Sequence, residues 1–367
     1  MRYRVLATLF VVTLLASLAV HGSDLPRGAI AGDVFYLQLP PLGAAAAAPR
    51  HIAVRGARIS LDQSATSLLS DKRGHFQVAN VPAGPHLLSI SHPSFRDPLE
   101  LHVTVPPGGT VAASAQMGET YYLAIGIAHY HSQDLERLDA PPRDAHRMMR
   151  QLANAFPGDV TLLINDAATK THIQAAIARI AAAIRPQDYF VFYFSGHESS
   201  EDVPDHPHAN SNFLMAVDSV AENTDHDIYD TDMARWLSAF PAPNHIALIL
   251  DSCYSGGFFR GQPVAGTRWK RLDAGQQDAP FAPYTVLASS SADEASIDTD
   301  SGSLYTNELL RVLSTTRKHA DRTPSHRISA AELFQDAAPR TITSARNCGE
   351  TQHPQMLLAA DMPLYQY

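Results

Sequence analysis

Residues 188–197, DYFVFYFSGH, contain an unbroken run of large, mostly apolar side chains that is followed by a serine, a glycine and a histidine. A second stretch of the same kind, HIALILDSCYSGG at 245–257, runs from an apolar segment into a serine, a cysteine and two glycines. Strands that are apolar at every position are typical of parallel sheets that helices cover on both faces. The two stretches therefore predict buried strands, each of which carries a reactive residue to the edge of a sheet.

From about residue 119 the chain alternates between strand-like and helix-like patterns. Further strand-like runs are TYYLAIGIAHY (120–130), VTLLIN (160–165) and YTVLASSS (284–291); the helix-like runs are DAHRMMRQLANAF (144–156), KTHIQAAIARIAAAI (170–184), DMARWLSAF (232–240) and SLYTNELLRVLS (303–314). The helix-like runs repeat apolar residues every three or four positions, so these residues share one face. This alternation predicts an α/β domain at 119–363, with a mostly parallel sheet and helices on both faces in three αβα layers.

The composition of the 367-residue chain narrows the functional classes. Hydrophobic residues make up 45% and charged residues 18%, as in a folded globular protein, and the net charge of −9 argues against nucleic acid as a partner. The sequence contains no Gly-x-Ser-x-Gly elbow, no glycine-rich phosphate loop and no His-Glu-x-x-His motif. Serine hydrolases, nucleotide-dependent enzymes and zincin metalloproteases are therefore disfavoured.

The amino terminus has the layout of a secretory signal peptide. Arg2 and Arg4 precede an apolar or small run at 5–20, which ends with a small-x-small cleavage site at 17–19. The run is shorter than the roughly 20 residues that cross a bilayer, so cleavage is favoured over an uncleaved anchor. We expect a signal peptide at 1–22, a secreted or periplasmic protein, and no stable membrane span after cleavage.

The segment at 27–116 has the pattern of a small antiparallel β-sandwich. LELHVTV (99–105) alternates apolar and polar residues, and turn residues recur between the other strand-like runs. GARISL (56–61) and SDKRGHFQVANVPAGPHLLSISHPSF (70–95) resemble the carboxypeptidase-regulatory or transthyretin-like domain. The resemblance implies an accessory domain for positioning or binding rather than for catalysis.

The chain has two cysteines, Cys253 and Cys348, and four roles are open to the first. It could be a core thiol, half of a disulfide, a metal ligand or a nucleophile. A nucleophile needs a base within hydrogen-bond reach, and His197 ends the other apolar strand, 253 − 197 = 56 positions earlier. Gly196 and the pair at 256–257 predict a sharp turn and close approach of substrate. This pattern favours the nucleophile, with Cys348 as a free or only regulatory thiol.

Seven motifs in a fixed order extend this pairing over residues 119–363. They are AIGIAHY (124–130), LDAPPRDAHRM (138–148), FYFSGH (192–197), NFLMAVDS (212–219), ALILDSCYSG (247–256), GSLYTNELL (302–310) and TQHPQMLL (351–358). The series resembles the caspase-like cysteine peptidases, nearer to metacaspases and their bacterial relatives than to animal caspases. The resemblance implies a caspase-like sheet and a cysteine endopeptidase that acts on polypeptides and requires no cofactor.

The resemblance also implies roles by position. His197 would be the catalytic base and Cys253 the nucleophile, with the N–H groups of Gly196 and Cys253 as the oxyanion hole. The positions that line the primary specificity pocket of metacaspase-like members are occupied here by Asp144, Ser195 and Asp251. In this family Asp144 lies before the first helix. Two carboxylates in such a pocket favour an Arg or Lys side chain and disfavour Asp, so cleavage after basic residues is expected.

Two loops carry further expectations. FFRGQPVAGTRWKRLD (258–273) follows the nucleophile where relatives often carry a processing site, so self-cleavage within 260–272 is one hypothesis and a solvated basic loop the other. ESSEDVPDHPHAN (198–210) is rich in acids and suggests calcium activation, but its spacing is not that of a calcium loop, and a solvated acidic loop is favoured. Glu198, which opens this second loop, stands where the family often has glycine.

Two rival interpretations use the same residues. A legumain-like or gingipain-like peptidase shares the order of histidine before cysteine, although Asp144 and the DSCYSG motif favour the metacaspase side. A non-catalytic exported binding protein could instead retain the peptidase fold as a scaffold. Peptide hydrolysis separates this second rival from both peptidases.

Overall fold

The computed structural model describes residues 26–44, 47–201, 211–220, 224–242, 245–258, 281 and 283–367. The expected signal peptide at 1–22 lies outside the described residues, as does the basic loop at 260–272. Within the described ranges, no helix combines the length and the apolar character needed to cross a membrane.

The secondary structure elements are numbered along the chain. The strands are β1 (Arg27–Gln38), β2 (Arg50–Ala53), β3 (Arg58–Leu61), β4 (Ser67–Leu69), β5 (His75–Pro82), β6 (Gly84–Ser91), β7 (Leu99–Val105), β8 (Thr110–Gln116), β9 (Thr120–Gly126), β10 (Asp159–Ile164), β11 (Tyr189–Ser195), β12 (Glu198–Glu201), β13 (Ser211–Met215), β14 (Asp227–Tyr229), β15 (Ile246–Asp251), β16 (Thr285–Ala288), β17 (Asp298–Thr299), β18 (Gly302–Ser303), β19 (Arg327–Ser329), β20 (Gln355–Leu357) and β21 (Pro363–Gln366). The helices are α1 (Pro141–Ala155), α2 (Lys170–Ala181), α3 (Asp230–Leu237), α4 (Leu304–Arg311), α5 (Arg317–Ala320) and α6 (Ala330–Asn347). A π-helical segment, Val312–Thr316, continues α4.

The central sheet consists of the apolar strands that the sequence indicates. In the described chain its order is β10-β9-β11-β15-β16-β20. The neighbours from β10 to β16 are parallel, and β20 pairs antiparallel with β16 at the edge. Every residue of β9, β11 and β15 is buried, as expected for strands covered on both faces. The prediction of a mostly parallel α/β sheet is confirmed.

Two hydrophobic cores lie on the two faces of this sheet. The side chains of β11 divide between them, with Phe190, Phe192 and Phe194 in one and Tyr189, Val191 and Tyr193 in the other. The first core contains apolar residues of α2 and α3, and the second contains those of α1, α4 and α6. Because successive side chains of a strand lie on opposite faces, the same strand serves both cores and the domain has three αβα layers.

The predicted apolar face of the first helix is buried, but the helix begins earlier than predicted. Its buried residues include Ala145, Met148, Met149 and Leu152. The helix begins at Pro141, because proline is tolerated in the first turn, where its missing N–H has no helical acceptor. Asp144 therefore lies in the first turn of α1, three residues after the start of the helix.

The helix α6 was not predicted, although its start carries a capping box. The Ser329 hydroxyl accepts from the N–H of Glu332, and the Glu332 carboxylate accepts from the N–H of Ser329. Pro339 lies inside the helix and obscures the helical pattern in the sequence, because proline removes one backbone donor. The tertiary contacts of the apolar face with the second core offset this cost.

The described residues divide into two compact units. One contains residues up to Val34, Arg55–Ile90 and Glu100–Ala115, and the other contains Phe35–Val54, Ser91–Leu99 and Gln116–Tyr367. The amino-terminal strands form sheets of order β4-β3-β6-β7 and β2-β1-β5, with β8 beside β1. Antiparallel pairing joins β1 to β2 and β5, and β3 to β4. The prediction of antiparallel strands is confirmed; the transthyretin-like resemblance and the boundaries 27–116 and 119–363 stay predictions.

Candidate active site

Two neighbouring strands of the central sheet end just before the predicted reactive residues. β11 and β15 are parallel, and Ser195 pairs with Asp251 at their carboxyl ends. His197 and Cys253 each follow this pair by two residues. Both therefore leave the sheet at the edge where parallel α/β sheets bind ligands.

The main chain and the ring of His197 are each held by a hydrogen bond. Its backbone N–H donates to the Tyr130 hydroxyl at 2.7 Å, and its ring Nε2 lies 2.7 Å from the carbonyl oxygen of Glu136. A carbonyl oxygen only accepts, so Nε2 carries a proton and the neutral ring has its lone pair on Nδ1. The His197 ring therefore donates its hydrogen bond to the Glu136 carbonyl and not to the thiol. This contact leaves Nδ1 as the basic nitrogen of the ring.

Tyr130 is a site residue to which the sequence assigned no role. Its ring centroid lies 5.1 Å from that of His197, and a Cβ added to Gly196 would come within 2.7 Å of its hydroxyl. Burial raises the pKa of Tyr130, and the nearby Cys253 adds to the shift. The phenol therefore stays protonated beside both predicted reactive residues. Its position as the last residue of the AIGIAHY motif was the available sequence signal.

The turn that carries Cys253 differs from the one expected. The left-handed residue is Tyr254, with φ of 59°, and not one of the glycines. The glycines are required for packing instead, because a Cβ on Gly257 would lie 2.5 Å from the Asn212 side chain. The backbone N–H of Tyr254 donates to the carbonyl oxygen of Glu294 at 2.8 Å, which holds the turn against a second loop.

Cys253 is a half-buried free thiol, and Cys348 is an exposed free thiol. The disulfide alternative is therefore excluded. Burial raises the pKa of the Cys253 thiol, and a hydrogen bond from the Ser296 N–H lowers it. Three nearby carboxyl groups raise this pKa further, those of Glu198, Asp251 and Asp298. Negative neighbours disfavour the thiolate, so at neutral pH the sulfur is protonated and needs a base to become a nucleophile.

Asp144 and Asp251 lie together beneath the strand ends, and Asp298 joins them. Burial raises the pKa of Asp144 and of Asp298 to about 6 each, and repulsion from Asp251 contributes to both shifts. Burial also raises the pKa of Asp251. Arg147 pairs with Asp144 at 3.0 Å, and the exposed Arg143 lies near Asp298. The three acids thus have raised pKa values in spite of both cations.

Hydrogen bonds fix the orientation of the two predicted pocket acids. The Asp144 carboxylate accepts from the N–H of Ser303 at 2.6 Å and from Arg147 at 3.0 Å. The Asp251 carboxylate accepts from the Ser296 hydroxyl at 2.9 Å and from the Thr306 hydroxyl at 2.5 Å. Asp144 therefore has a cationic partner, whereas Asp251 accepts from neutral groups, the hydroxyls of Ser296 and Thr306 and the backbone N–H of Thr306.

Asp298 is the third acid, and sequence reasoning missed it. It pairs with Ser303 across the short hairpin of β17 and β18, and the Ser303 N–H is the one that donates to Asp144. The N–H of Ala140 also donates to the Asp298 carboxylate. The hairpin places Asp298 near two acids that are distant in sequence. No local pattern in SIDTDSGS could have indicated this, because the contact depends on the fold.

Glu198 is buried, which corrects the prediction that it opens a solvated acidic loop. Only 4% of the residue is exposed, and its carboxylate accepts from the Ser252 hydroxyl at 2.6 Å. Residues 202–210 of the same acidic segment lie outside the described residues. Among the described residues, no group of three or more histidine, cysteine or acidic side chains is arranged to hold a metal ion.

Comparison with known proteins gives a family for the larger unit. Residues 120–359 match the caspase domain of the C14 peptidases. One similar solved structure is protein GSU0716 from Geobacter sulfurreducens, with 19% identity over 65% of this chain and 92% of that chain. Another is caspase-1 from Spodoptera frugiperda, with 11% identity over 68% of this chain and 90% of that chain. The TM-score is 0.45 for both. No curated protein sequence matches significantly.

The matched residues span the central sheet, both candidate strand ends and the acidic group beneath them. They cover more than half of the chain. The chain therefore belongs to the caspase domain family of cysteine peptidases.

Proposed function

We propose that this protein is a cysteine endopeptidase that uses Cys253 and His197 and cleaves after Arg or Lys. The observation that carries the specificity is the acidic group of Asp144, Asp251 and Asp298 beside the candidate nucleophile. A nearby cation stabilises the ionised form of such carboxyl groups, because its attraction offsets the cost of burying the charges and their mutual repulsion. A guanidinium or ammonium group from a substrate supplies such a cation.

The proposed first step is attack by sulfur on the peptide carbonyl. Nδ1 of His197 takes the proton from the Cys253 thiol as the S–C bond forms. The proton on Nε2 continues to donate to the Glu136 carbonyl, which stabilises the resulting imidazolium. The N–H groups of Gly196 and Cys253 are the proposed donors to the developing oxyanion.

The remaining steps return the enzyme to its starting state. The imidazolium of His197 protonates the leaving amine as the C–N bond breaks, which leaves an acyl group on the sulfur of Cys253. Water then attacks this thioester, with His197 as the base, and the acid product leaves. The residues of this chain supply the nucleophile, the base and the oxyanion donors for each step.

A panel of fluorogenic peptides that differ in the residue before the cleaved bond tests the proposal. We expect kcat/KM to be highest for Arg and Lys, and lower by about 100-fold or more for citrulline, Asn and Asp. Faster turnover of Asp peptides than of Arg peptides would refute the specificity. Inactivity on the whole panel, after reduction, calcium addition and limited proteolysis, would favour the non-catalytic scaffold.

The acidic group also predicts a pH dependence. Asp144 and Asp298 have pKa values raised to about 6, so they are neutral below that pH and charged above it. The ratio of kcat/KM for Arg over citrulline peptides is therefore expected to increase as the pH rises through about 6. The increase is roughly tenfold for each carboxyl group whose pKa the bound cation lowers by one unit. Citrulline controls for titration of the catalytic pair, and a ratio that is flat from pH 5 to 7.5 contradicts the prediction.

A further inference from the structure

Glu198 links the two candidate catalytic strand ends. It directly follows His197 at the start of β12, and its carboxylate accepts from the hydroxyl of Ser252, which directly precedes Cys253. The 2.6 Å distance and the burial of both residues indicate a strong, water-excluded hydrogen bond. One side-chain contact thus joins the neighbour of the base to the neighbour of the nucleophile.

Each end of this link is held from other directions. The backbone oxygen of His197 accepts from the N–H of Met215 at 3.0 Å, which ties the base to β13. The backbone oxygen of Ser252 accepts from the hydroxyls of Ser289 at 3.0 Å and Ser290 at 3.1 Å. The link is therefore embedded in a network whose backbone positions are already fixed.

A second contact of the Glu198 carboxyl reaches the residue after the nucleophile. Nδ2 of Asn212 lies 3.5 Å from Oε1 of Glu198 and 3.4 Å from the carbonyl oxygen of Tyr254. Tyr254 has a left-handed backbone, which a non-glycine residue adopts at a cost. Glu198 and Asn212 together therefore contact both residues that flank Cys253.

The titratable groups around Glu198 are Asp230 on α3, Cys253 just after β15, and His197 in its own segment. Asn212 on β13 and Ser252 at the end of β15 are its neutral polar neighbours. Within the described residues, no lysine, arginine or histidine forms an ion pair with Glu198. Burial and repulsion from Asp230 raise its pKa to about 8, against the effect of the hydrogen bonds from Ser252 and Asn212.

We propose that Glu198 is a positioning residue of the peptidase reaction, which aligns the two catalytic strand ends through Ser252 and whose carboxyl group controls the charge beside the Cys253 sulfur. The proposal rests on the proposed function of Cys253 and His197. The neutral carboxylic acid keeps the hydrogen bond from Ser252 and adds no negative charge beside the sulfur. The ionised form disfavours the Cys253 thiolate and the oxyanion, because both are negative.

Two variants separate the alignment from the charge. Glu198→Gln keeps an oxygen for Ser252 but cannot ionise, and Glu198→Ala removes both properties. At pH 7 we expect Glu198→Ala to lower kcat by about 10- to 100-fold with little change in KM, and Glu198→Gln to restore kcat. As the pH rises through about 8, the wild type is expected to lose activity while Glu198→Gln keeps it.

Alkylation of Cys253 by iodoacetamide gives a readout that does not depend on peptide hydrolysis. The rate is measured against pH by mass spectrometry in a Cys348→Ala background, so that one thiol reacts. We expect Glu198→Gln to shift the midpoint for Cys253 to lower pH by about one unit, because a charge beside the thiolate is lost. If no variant hydrolyses peptides but this shift occurs, the proposed function fails and the electrostatic role of Glu198 stands.

Two results would overturn the proposal. The first is a wild-type kcat for Glu198→Ala, which would show that the link does not align the strand ends. The second is a Glu198→Gln variant with the alkylation midpoint of the wild type and the same loss of peptidase activity above about pH 8. This result would show that the charge of Glu198 does not affect the sulfur of Cys253. Ser252→Ala adds a double-mutant cycle: if both residues act through their one hydrogen bond, the double variant with Glu198→Ala is no slower than the slower single variant.

Discussion

Replacing Cys253 with alanine is expected to lower kcat for an arginyl peptide by on the order of 10⁴-fold or more. The thiol is the proposed covalent nucleophile, and a methyl group can neither form the thioester nor be activated by a base. The loss should appear in kcat rather than in KM, because the acidic pocket that would bind the substrate side chain is untouched. Steady-state hydrolysis of the arginyl peptide measures both constants.

The second cysteine is the matched control. Cys348 is a free and exposed thiol outside the candidate site, so Cys348→Ala should retain wild-type kcat and KM. Iodoacetamide should inactivate the wild type and Cys348→Ala at the same rate. Equal activity of Cys253→Ala and Cys348→Ala would contradict the nucleophilic role of Cys253.

His197→Ala tests whether base and nucleophile act as one unit. It should reduce kcat by a factor of similar order, and the double variant with Cys253→Ala should be no slower than Cys253→Ala alone. This non-additivity follows because the base has no proton to remove once the thiol is absent. A double variant whose loss equals the product of both single losses would mean that the two residues act independently.

Asp251→Asn is expected to lower kcat/KM for the arginyl peptide by about 10- to 100-fold and to change the citrulline peptide much less. Asparagine has the same shape and still accepts one hydrogen bond, so the change removes mainly the negative charge. The partners of Asp251, the hydroxyls of Ser296 and Thr306, can reorient to accept from the new amide. The pocket therefore keeps its form while losing charge. Comparison of the two peptides isolates the electrostatic part.

The same substitution at the other two acids is expected to reduce the preference for Arg by different amounts. Asp144 is already paired with Arg147 at 3.0 Å, so Asp144→Asn should reduce the preference for Arg less than Asp251→Asn does. Asp298 is held by a backbone N–H rather than by a salt bridge, and Asp298→Asn should also reduce the preference. If none of the three variants changes the ratio of Arg to citrulline turnover, the group is not the specificity pocket. In that case its charge has a structural role.

The architecture of the larger unit could be predicted because it depends on local periodicity. The continuous apolar runs that became β11 and β15 indicate strands buried on both faces, and the helical spacing of Met148, Met149 and Leu152 indicates a helix with one buried face. Helix α6 escaped prediction because Pro339 interrupts its pattern and tertiary packing overrides that local preference.

The chemistry around the reactive residues was less predictable because it depends on contacts between distant segments. Tyr130 lies in the loop after β9 and Asp298 in the two-residue strand β17, and only the folded chain brings them to the strand ends. The sequence favoured an exposed position for Glu198 because acidic residues in a polar segment are usually solvated. Its burial against Ser252 could not be inferred from its neighbours in sequence.

The sequence by itself determined the parallel α/β class and the strand ends that carry His197 and Cys253, and its resemblance to the metacaspases made Asp144 and Asp251 pocket candidates. These features follow from side-chain patterns along short stretches and from motifs in a fixed order. Only the tertiary structure decided the Ser195–Asp251 register, the tautomer that the Glu136 carbonyl imposes on His197, and the link through Glu198. The reason is physical: hydrogen-bond geometry and desolvation depend on which groups meet in space, and spacing along the chain does not specify that.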